Sequence, residues 1–183
     1  MTRPKVHIIV LGGTITMAPQ GTGGIVPTVS GADLVAAVPA LAEVADISVD
    51  TPFLVPGASL SFTQMQQVDA LVDQALGGGA NGVVVVQGTD TIDETSFLLD
   101  LIHRHAGPVV VTGAMRGAAA VSADGSGNLL AAVTVAASPV ARDLGALVVL
   151  NDEIHAARYV AKLHKALTSS FGAPGLGPLG HVI

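Results

Sequence analysis

Short, fully apolar runs that alternate with helical patterns constrain the fold of this chain most. Residues 82–86 (GVVVV), 108–115 (PVVVTGAM) and 145–151 (GALVVLN) each contain consecutive apolar residues without polar alternation. Such runs are typical of parallel strands that are covered on both faces. Helical patterns separate them, as in residues 63–76, where apolar residues recur at the spacing of one helical face. The alternation predicts an α/β fold in three layers, with a mostly parallel sheet and helices on both faces.

The remaining elements are placed by the same criteria. We expect further strands at residues 5–11 and 47–55, and further helices at residues 31–41, 93–105 and 127–138. Ser61 and Gln64 have the spacing of a capping box at a helix start, and Thr91 and Glu94 repeat that spacing. Residues 152–171 fit either a hairpin or short helices, and the sequence does not decide between them.

Composition excludes several classes of function. The chain has 183 residues, which suits one domain, and a formal net charge of −6 with only 12% charged residues. Lys and Arg are not clustered, so we expect no nucleic-acid partner. The absence of cysteine excludes disulfides and thiolate metal sites, and the histidines form no metal-ligand pattern with carboxylates. We therefore expect no metal and no cofactor.

Signals for export or membrane insertion are not recognisable either. The apolar run at residues 5–11 is short for a secretory signal and lacks a small-residue cleavage pattern. No apolar stretch is long and uninterrupted enough to span a bilayer. We expect a cytoplasmic protein without a membrane partner.

Distinctive polar segments follow four of the apolar runs. The segments are GGTIT after Leu11, PGASLS after Val55, QGTDT after Val86 and TGAMR after Val111. Ligands of open α/β sheets bind at the carboxyl ends of the strands, so these segments are candidates for a site. GGTIT alone is more simply a turn, and it is not a phosphate loop because no Gly-Lys-Ser/Thr ending follows.

The segment QGTDT is harder to explain by structure alone. Thr91 suits the N-cap of the next helix, and Asp93 and Glu94 suit the positive end of its dipole. Asp90 would also serve as a first-turn anion. However, Asp90 lies beside the hydroxyl of Thr89, just beyond a buried strand, and that placement favours a functional site.

These segments together resemble a known family. LGGTIT, QGTDTIDETSFLLDL, PVVVTGAMR, SADGSGNLLAAV and LVVLNDEIHAARYVAK occur in this order over essentially the whole chain. In this order they resemble the bacterial-type L-asparaginases, amidohydrolases that release ammonia from asparagine and, in some members, from glutamine. The resemblance implies a small-molecule amide substrate and the three-layer fold of the asparaginase N-terminal domain.

The resemblance also implies residue roles. It places the nucleophile on Thr14, a second catalytic threonine and an aspartate on Thr89 and Asp90, and a catalytic lysine on Lys162. It further implies substrate contacts from four positions. Ser59 is our choice for the substrate carboxylate, with Ala58 aligning almost as well and Ser61 nearby; Gly88 lies in the site, and the Ala114 carbonyl receives the substrate amide.

The chemistry of amide hydrolysis requires these residue types. A threonine hydroxyl is a poor nucleophile at neutral pH and needs a base or proton shuttle, a role that a lysine near an aspartate can perform. Backbone N–H groups of the Gly-rich turn after Leu11 can stabilise an oxyanion, each donor contributing on the order of 3 kcal/mol. We therefore expect acyl transfer: Thr14 attacks the amide, ammonia leaves, and water hydrolyses the ester. That Thr14 rather than Thr89 attacks first is implied by the resemblance alone.

The chain departs from the family pattern in three respects. The loop at residues 16–28, which we expect to be a mobile lid, lacks the tyrosine that often assists the nucleophile, and Gln87 replaces a histidine common in relatives. Relatives also carry a smaller C-terminal domain, and a neighbouring subunit's copy helps to hold the substrate. We expect residues 1–183 to be the N-terminal catalytic domain without that second domain, and the protein to be a homo-oligomer, a dimer or a tetramer.

Two alternative functions stay open. One is the ammonia-producing subunit of an amidotransferase, which usually needs further domains and a partner. The other is a non-catalytic or truncated module that keeps the fold and binds a ligand or assembles without turnover. The sequence does not settle the preference between asparagine and glutamine.

Overall fold

The computed structural model describes residues 2–19, 25–27 and 29–183. The strands are β1 (Lys5–Val10), β2 (Met17–Pro19), β3 (Ile25–Pro27), β4 (Asp46–Asp50), β5 (Gly82–Val86), β6 (Val109–Thr112), β7 (Ala146–Leu150), β8 (Glu153–Ala156), β9 (Ala161–Lys162), β10 (Phe171–Gly172) and β11 (Gly180–His181). The helices are α1 (Gly31–Ala36), α2 (Leu41–Val44), α3 (Phe62–Gly77), α4 (Ile92–Ile102) and α5 (Gly125–Ala137). Short 3-10 segments include the Thr14 turn (Thr14–Thr16), the Ser59 turn (Gly57–Ser59) and the Thr89 turn (Thr89–Thr91).

The described residues form a seven-stranded sheet in the order β11-β8-β7-β6-β5-β1-β4. The five strands β4, β1, β5, β6 and β7 are parallel; β8 runs antiparallel to β7, and the edge strand β11 pairs antiparallel with β8. This arrangement confirms the predicted three-layer α/β fold. It also brings the carboxyl ends of β1, β5 and β6 to the same edge, since Val10 pairs with Val86 and Val86 with Thr112.

The sheet is covered on both faces, as the unbroken apolar strands require. In β5, Val84 and Val86 belong to a buried cluster with residues of α1, α2 and α5, and Val83 and Val85 belong to a second cluster with residues of α3 and α4. All four valines are fully buried. Full burial of one such side chain contributes roughly 1.5–3 kcal/mol, so the two clusters hold β5 rigidly in the centre of the sheet.

Proline accounts for two differences from the predicted elements. The expected helix at residues 31–41 is divided into α1 and α2, because Pro39 disfavours helical conformation in the residue before it. The expected strand at residues 47–55 ends at Asp50, just before Pro52, which has no N–H to donate to a ladder.

One of the two predicted capping boxes is present. The Ser61 Oγ accepts a hydrogen bond from the Gln64 backbone N–H at 3.2 Å, and the Ser61 N–H donates to Gln64 Oε1 at 2.9 Å. The prediction for Thr91 and Glu94 is wrong, because Thr91 makes no side-chain capping bond. Its hydroxyl instead donates to the carbonyl of Gly57 at 3.0 Å.

Residues 152–171 contain strands rather than helices. β8 returns antiparallel to β7 through Asn151 and Asp152, which both have positive φ values, 53° and 60°. Positive φ at both central residues is typical of a type I′ hairpin turn. The two-residue strands β9 and β10 then pair with each other, and this pairing places Lys162 opposite Phe171.

The predicted lid at residues 16–28 is only partly described. β2 and β3 pair antiparallel within it, and residues 20–24 and 28 lie outside the described residues. Among the helices of the described chain, none has the length and apolar character needed to cross a membrane.

Candidate active site

Lys162, Thr89 and Asp90 form a contact group at the carboxyl end of β5. The Lys162 Nζ donates to Thr89 Oγ1 and to Asp90 Oδ1, both at 2.8 Å. Thr89 is 7% exposed, and the side chains of Lys162 and Asp90 are 16% and 71% exposed. The structure therefore holds a largely sheltered ammonium group between a buried hydroxyl and a carboxylate that faces solvent.

The backbone of β9 positions Lys162 against α4. The Lys162 N–H donates to Asp93 Oδ2 at 3.4 Å, and Asp93 lies in the first turn of α4. The neighbouring Glu94 has a raised pKa, caused first by partial burial and then by its side-chain hydrogen bond with Asp93. Sequence reasoning gave Asp93 only a role toward the helix dipole. Its bond to Lys162 joins segments far apart in the chain, and no local pattern indicates it.

Thr14 is brought to the same place by close packing of two glycines. Gly13 precedes Thr14 and Gly88 precedes Thr89, and a Cβ added at Gly13 would lie 2.2 Å from the Gly88 nitrogen. Gly13 also has a φ of +87°, a conformation that favours glycine. Because the backbones of Gly13 and Gly88 are in contact, the next residues in each segment, Thr14 and Thr89, have neighbouring backbone positions. Thr14 itself is half-buried.

The Ser59 turn also packs against the backbone of Gly88. A Cβ added at Gly57 would lie 2.6 Å from the carbonyl oxygen of Gly88, so the backbones of Gly57 and Gly88 are also in close contact. Ala58 and Ser59 follow Gly57 and are exposed. Ser61 is engaged at the start of α3, where its hydroxyl donates to Gln64 Oε1 at 3.0 Å. Of the two serine candidates for the substrate carboxylate, Ser59 lies in the turn that contacts the Gly88 backbone through Gly57, whereas Ser61 is engaged at the start of α3.

Ala114 lies on the far side of the Thr14 turn and is fully buried. A Cβ added at Gly125 would lie 2.8 Å from Ile15 Cγ1 and 3.4 Å from Ala114 Cβ, so these two side chains meet over the start of α5. Ile15 belongs to the Thr14 turn. The loop after β6 is consequently packed against the turn that carries Thr14.

Asp124 fixes the loop after β6 and does not cap α5. Its carboxylate accepts from the backbone N–H groups of Met115 at 3.0 Å and Arg116 at 2.9 Å, and it makes no side-chain capping bond. Asn128 Nδ2 donates to the Gly113 carbonyl at 3.0 Å and to Asp124 Oδ2 at 3.1 Å. The Asp124 carboxylate therefore has a structural role in this loop. Asn128 itself was not singled out from the sequence.

Gln87 ties the Thr89 turn to the Ser59 turn. It is fully buried, and its Nε2 donates to the Gly88 carbonyl and to Thr91 Oγ1, both at 3.3 Å. Thr91 in turn donates to the Gly57 carbonyl. Gln87 thus hydrogen-bonds the loop that follows β5. Its Oε1 has no hydrogen-bond partner among the described residues.

The arrangement is suited to moving a proton between side chains. A lysine in contact with a hydroxyl can exchange a proton with it, while the adjacent carboxylate balances the lysine charge. Within the described part of the chain, no group of three or more His, Asp or Glu side chains is arranged to hold a metal.

Comparison with known proteins decides the family. Residues 5–183 match the family model described as "Asparaginase, N-terminal". The chain belongs to the asparaginase family. A probable L-asparaginase of Deinococcus radiodurans is 41% identical over 180 residues, which cover 98% of this chain and 53% of that protein. A glutaminase-asparaginase of Pseudomonas fluorescens biotype A is 38% identical over 151 residues, which cover 82% of this chain and 41% of that protein.

A solved asparaginase structure has the same fold. The crystal structure of a probable cytoplasmic L-asparaginase from Campylobacter jejuni superposes with a TM-score of 0.92 at 31% identity. The superposition covers 99% of this chain and 55% of the Campylobacter chain. The chain thus spans about half the length of the asparaginases that it matches.

Proposed function

We propose that residues 1–183 are the catalytic N-terminal domain of an L-asparaginase. The domain would hydrolyse the side-chain amide of L-asparagine to L-aspartate and ammonia through a threonine acyl-enzyme. The contact of the Lys162 ammonium with both Thr89 and Asp90, at 2.8 Å each, is the observation that supports this function best. The membership of the chain in the asparaginase family supports it independently.

The first step would form the acyl-enzyme on Thr14. Its Oγ attacks the amide carbon and its proton passes to the leaving nitrogen, so ammonia departs and an ester remains. Backbone N–H groups near Gly13 and Gly88 are suited to stabilise the oxyanion, since both glycines keep side chains away from that point. Ser59 would hold the substrate carboxylate, with Ala58, Gly88 and Ala114 lining the site.

The second step would hydrolyse the ester by water. The hydroxyl of Thr89, in contact with Lys162, can take a proton from the attacking water and pass it to the lysine when the amine is neutral. Asp90 holds the lysine in this position and stabilises its charge after the proton arrives. In this mechanism Thr14 is the nucleophile, and the pair Thr89–Lys162 transfers the proton.

Asparagine is the proposed first substrate and glutamine the second. The relatives described above carry the names L-asparaginase and glutaminase-asparaginase. Glutamine is longer by one methylene, a difference that a pocket discriminates by only about 1–3 kcal/mol. We also propose a cytoplasmic homo-oligomer, a dimer or a tetramer, in which a second copy completes the site.

Ammonia release tests the proposal. The chain would be assayed alone and after fusion to the C-terminal half of the Deinococcus relative, since it spans about half of that protein. We expect weak or no turnover of L-asparagine by the chain alone, robust turnover by the fusion, and none by its Thr14→Ala variant. Robust turnover by the chain alone would show that the second domain is dispensable.

A binding measurement addresses the non-catalytic alternative. Isothermal titration with L-aspartate would be made on the fusion and on the chain alone. Binding by the fusion without any turnover would support a ligand-binding module and contradict the catalytic proposal. Binding with turnover that Thr14→Ala abolishes supports the catalytic proposal.

A further inference from the structure

A second cluster of reactive side chains lies on β1 and β4, away from the Thr14 turn. His7 in β1 is directly opposite Ser48 in β4, and its Nδ1 lies 2.8 Å from Ser48 Oγ. The other ring nitrogen, Nε2, lies 3.4 Å from Asp50 Oδ2. Ser48 and Asp50 are two residues apart in the strand and so share one face of the sheet. The imidazole therefore stands between a hydroxyl and a carboxylate.

This cluster forms one wall of a cavity. The cavity has a volume of about 290 Å³, and α3 supplies the opposite wall. Lys5 lies beside His7 on the strand side, and Leu71 and Ala75 provide apolar surface on the helix side. The volume is near the lower end for small-molecule sites, so a compact ligand fits and an extended one does not. The His7 side chain is 14% exposed and Ser48 is exposed, which leaves the hydroxyl accessible from the cavity.

We propose that Ser48 is a second nucleophile, which accepts an acyl group from small activated esters. A serine hydroxyl needs an adjacent base to react, and His7 is within hydrogen-bond distance of it. The imidazolium formed when His7 takes the proton would be stabilised by Asp50. Hydroxyl, imidazole and carboxylate follow one another in the order of a catalytic triad, although here Nδ1 faces the hydroxyl and Nε2 faces the carboxylate, the reverse of the serine-protease arrangement. The Lys5 ammonium favours an ester that bears an anionic group.

The acyl transfer balances with these groups alone. Ser48 Oγ bonds to the ester carbonyl carbon while its proton passes to His7 Nδ1. The ester C–O bond then breaks, and the leaving alcohol takes the proton from His7. Water subsequently hydrolyses the acyl-serine with the same base. Within the described sheet β4 is an edge strand, so alternate backbone N–H groups on its outer side have no partner strand.

The proposal does not depend on the asparaginase activity. His7 and Ser48 lie in the middle of their strands, whereas Thr14 follows the carboxyl end of β1. The two groups therefore face different spaces. A substitution in the His7–Ser48 pair can therefore be tested without altering the Thr14 site, and the reverse also holds.

Acylation of the full chain by p-nitrophenyl acetate tests the proposal. We expect a burst of p-nitrophenolate, followed by slow turnover, and an acetyl group that peptide mass spectrometry locates on Ser48. Ser48→Ala should abolish the burst. His7→Asn should slow it by about 100-fold or more, because a positioned general base contributes about 10²–10⁴-fold. Ser169→Ala, which changes an exposed serine after β9, should leave the burst unchanged.

Two outcomes would overturn the proposal. Acetylation found only on lysines or on Thr14 would show that Ser48 is not activated. An undiminished acylation rate of Ser48 in His7→Asn would show that the histidine contact is only structural. The Thr14→Ala variant should still form the acetyl adduct on Ser48. The test of Ser48 acylation is therefore independent of whether the asparaginase proposal is correct. Thermal unfolding followed by circular dichroism checks that each variant is folded. The location of the adduct in the unsubstituted chain tests the proposal even if a variant does not fold.

Discussion

The ammonium of Lys162 donates to the hydroxyl of Thr89 across 73 positions of sequence. The parallel sheet carries Thr89 to its edge, and the β9–β10 hairpin returns Lys162 to the same edge. α4 holds both segments. The Thr89 turn continues directly into α4 after Thr91, and the Asp93 carboxylate in the first turn of α4 accepts a hydrogen bond from the Lys162 backbone N–H. The contact between these two residues is thus a product of the whole fold.

Removing the lysine ammonium should abolish most of the activity and leave the fold intact. We expect Lys162→Met to lower kcat for L-asparagine by about 10²–10⁴-fold, the usual contribution of a positioned acid or base. Stability should change little, since an ion pair whose Asp90 partner is 71% exposed contributes only about 0–1 kcal/mol. Steady-state ammonia release by the fusion with the C-terminal half, together with urea unfolding, checks both values. Lys165→Met, which changes an exposed lysine in the β9–β10 connection, is the matched control.

The contact between the Gly13 and Gly88 backbones should tolerate no side chain. Gly13→Ala places a Cβ 2.2 Å from the Gly88 nitrogen and forces alanine to a φ of +87°. Strain at positive φ and overpacking each cost about 1–3 kcal/mol, so we expect a loss of about 2–6 kcal/mol in the free energy of unfolding. Gly127→Ala is the control, because a Cβ there meets nothing within 4 Å. This control lies in α5 and should stabilise by up to about 1 kcal/mol. Equal effects of the two substitutions would contradict the predicted close approach.

The Gln87–Thr91–Gly57 hydrogen-bond chain should couple the two turns. Gln87→Ala leaves the buried Gly88 carbonyl without this donor, at a cost of about 1–3 kcal/mol. Thr91→Val removes the next link. The double variant should lose less than the sum of the single losses, with a coupling energy of about 0.5–3 kcal/mol in a double-mutant cycle. Additive losses would show that Gln87 and Thr91 act independently.

His103 should make stability depend on pH. Burial is the main cause that lowers the pKa of His103 below its ordinary value of 6.5. The folded state therefore binds the proton less readily than the unfolded state, so the free energy of unfolding is highest above pH 6.5 and falls as the pH drops through the folded pKa. We expect His103→Gln to flatten the decline that begins below pH 6.5. Urea unfolding at several pH values, with His164→Gln as an exposed control, measures the effect. An unchanged slope in His103→Gln would contradict the prediction.

The core of the fold was accessible from sequence because its signals are local. The unbroken valine runs of β5 and β6 require cover on both faces, and α3 shows both its apolar period and its capping box. Hydrophobic pattern and strand type agree in each case. The resemblance to the asparaginases then named the residues at the strand ends, which periodicity alone leaves as turns.

The parts that sequence reasoning missed depend on contacts between distant segments. β9 and β10 have two residues each, too few for any pattern, and the hairpin before β8 uses Asn151 and Asp152 rather than glycine at positive φ. The hydroxyl of Thr91 bonds to Gly57, 34 positions away, in place of the local cap that its spacing indicated. In each case tertiary packing determines the partner.

The identity of the acylated residue tests the central proposal most directly. The active fusion with the C-terminal half would be mixed with L-asparagine, quenched in acid within milliseconds to seconds, and analysed by peptide mass spectrometry. We expect an aspartyl ester on Thr14 that accumulates in Lys162→Met, because deacylation needs the Thr89–Lys162 pair. An ester on Thr89, or undiminished ammonia release by Thr14→Ala, would contradict the proposed mechanism.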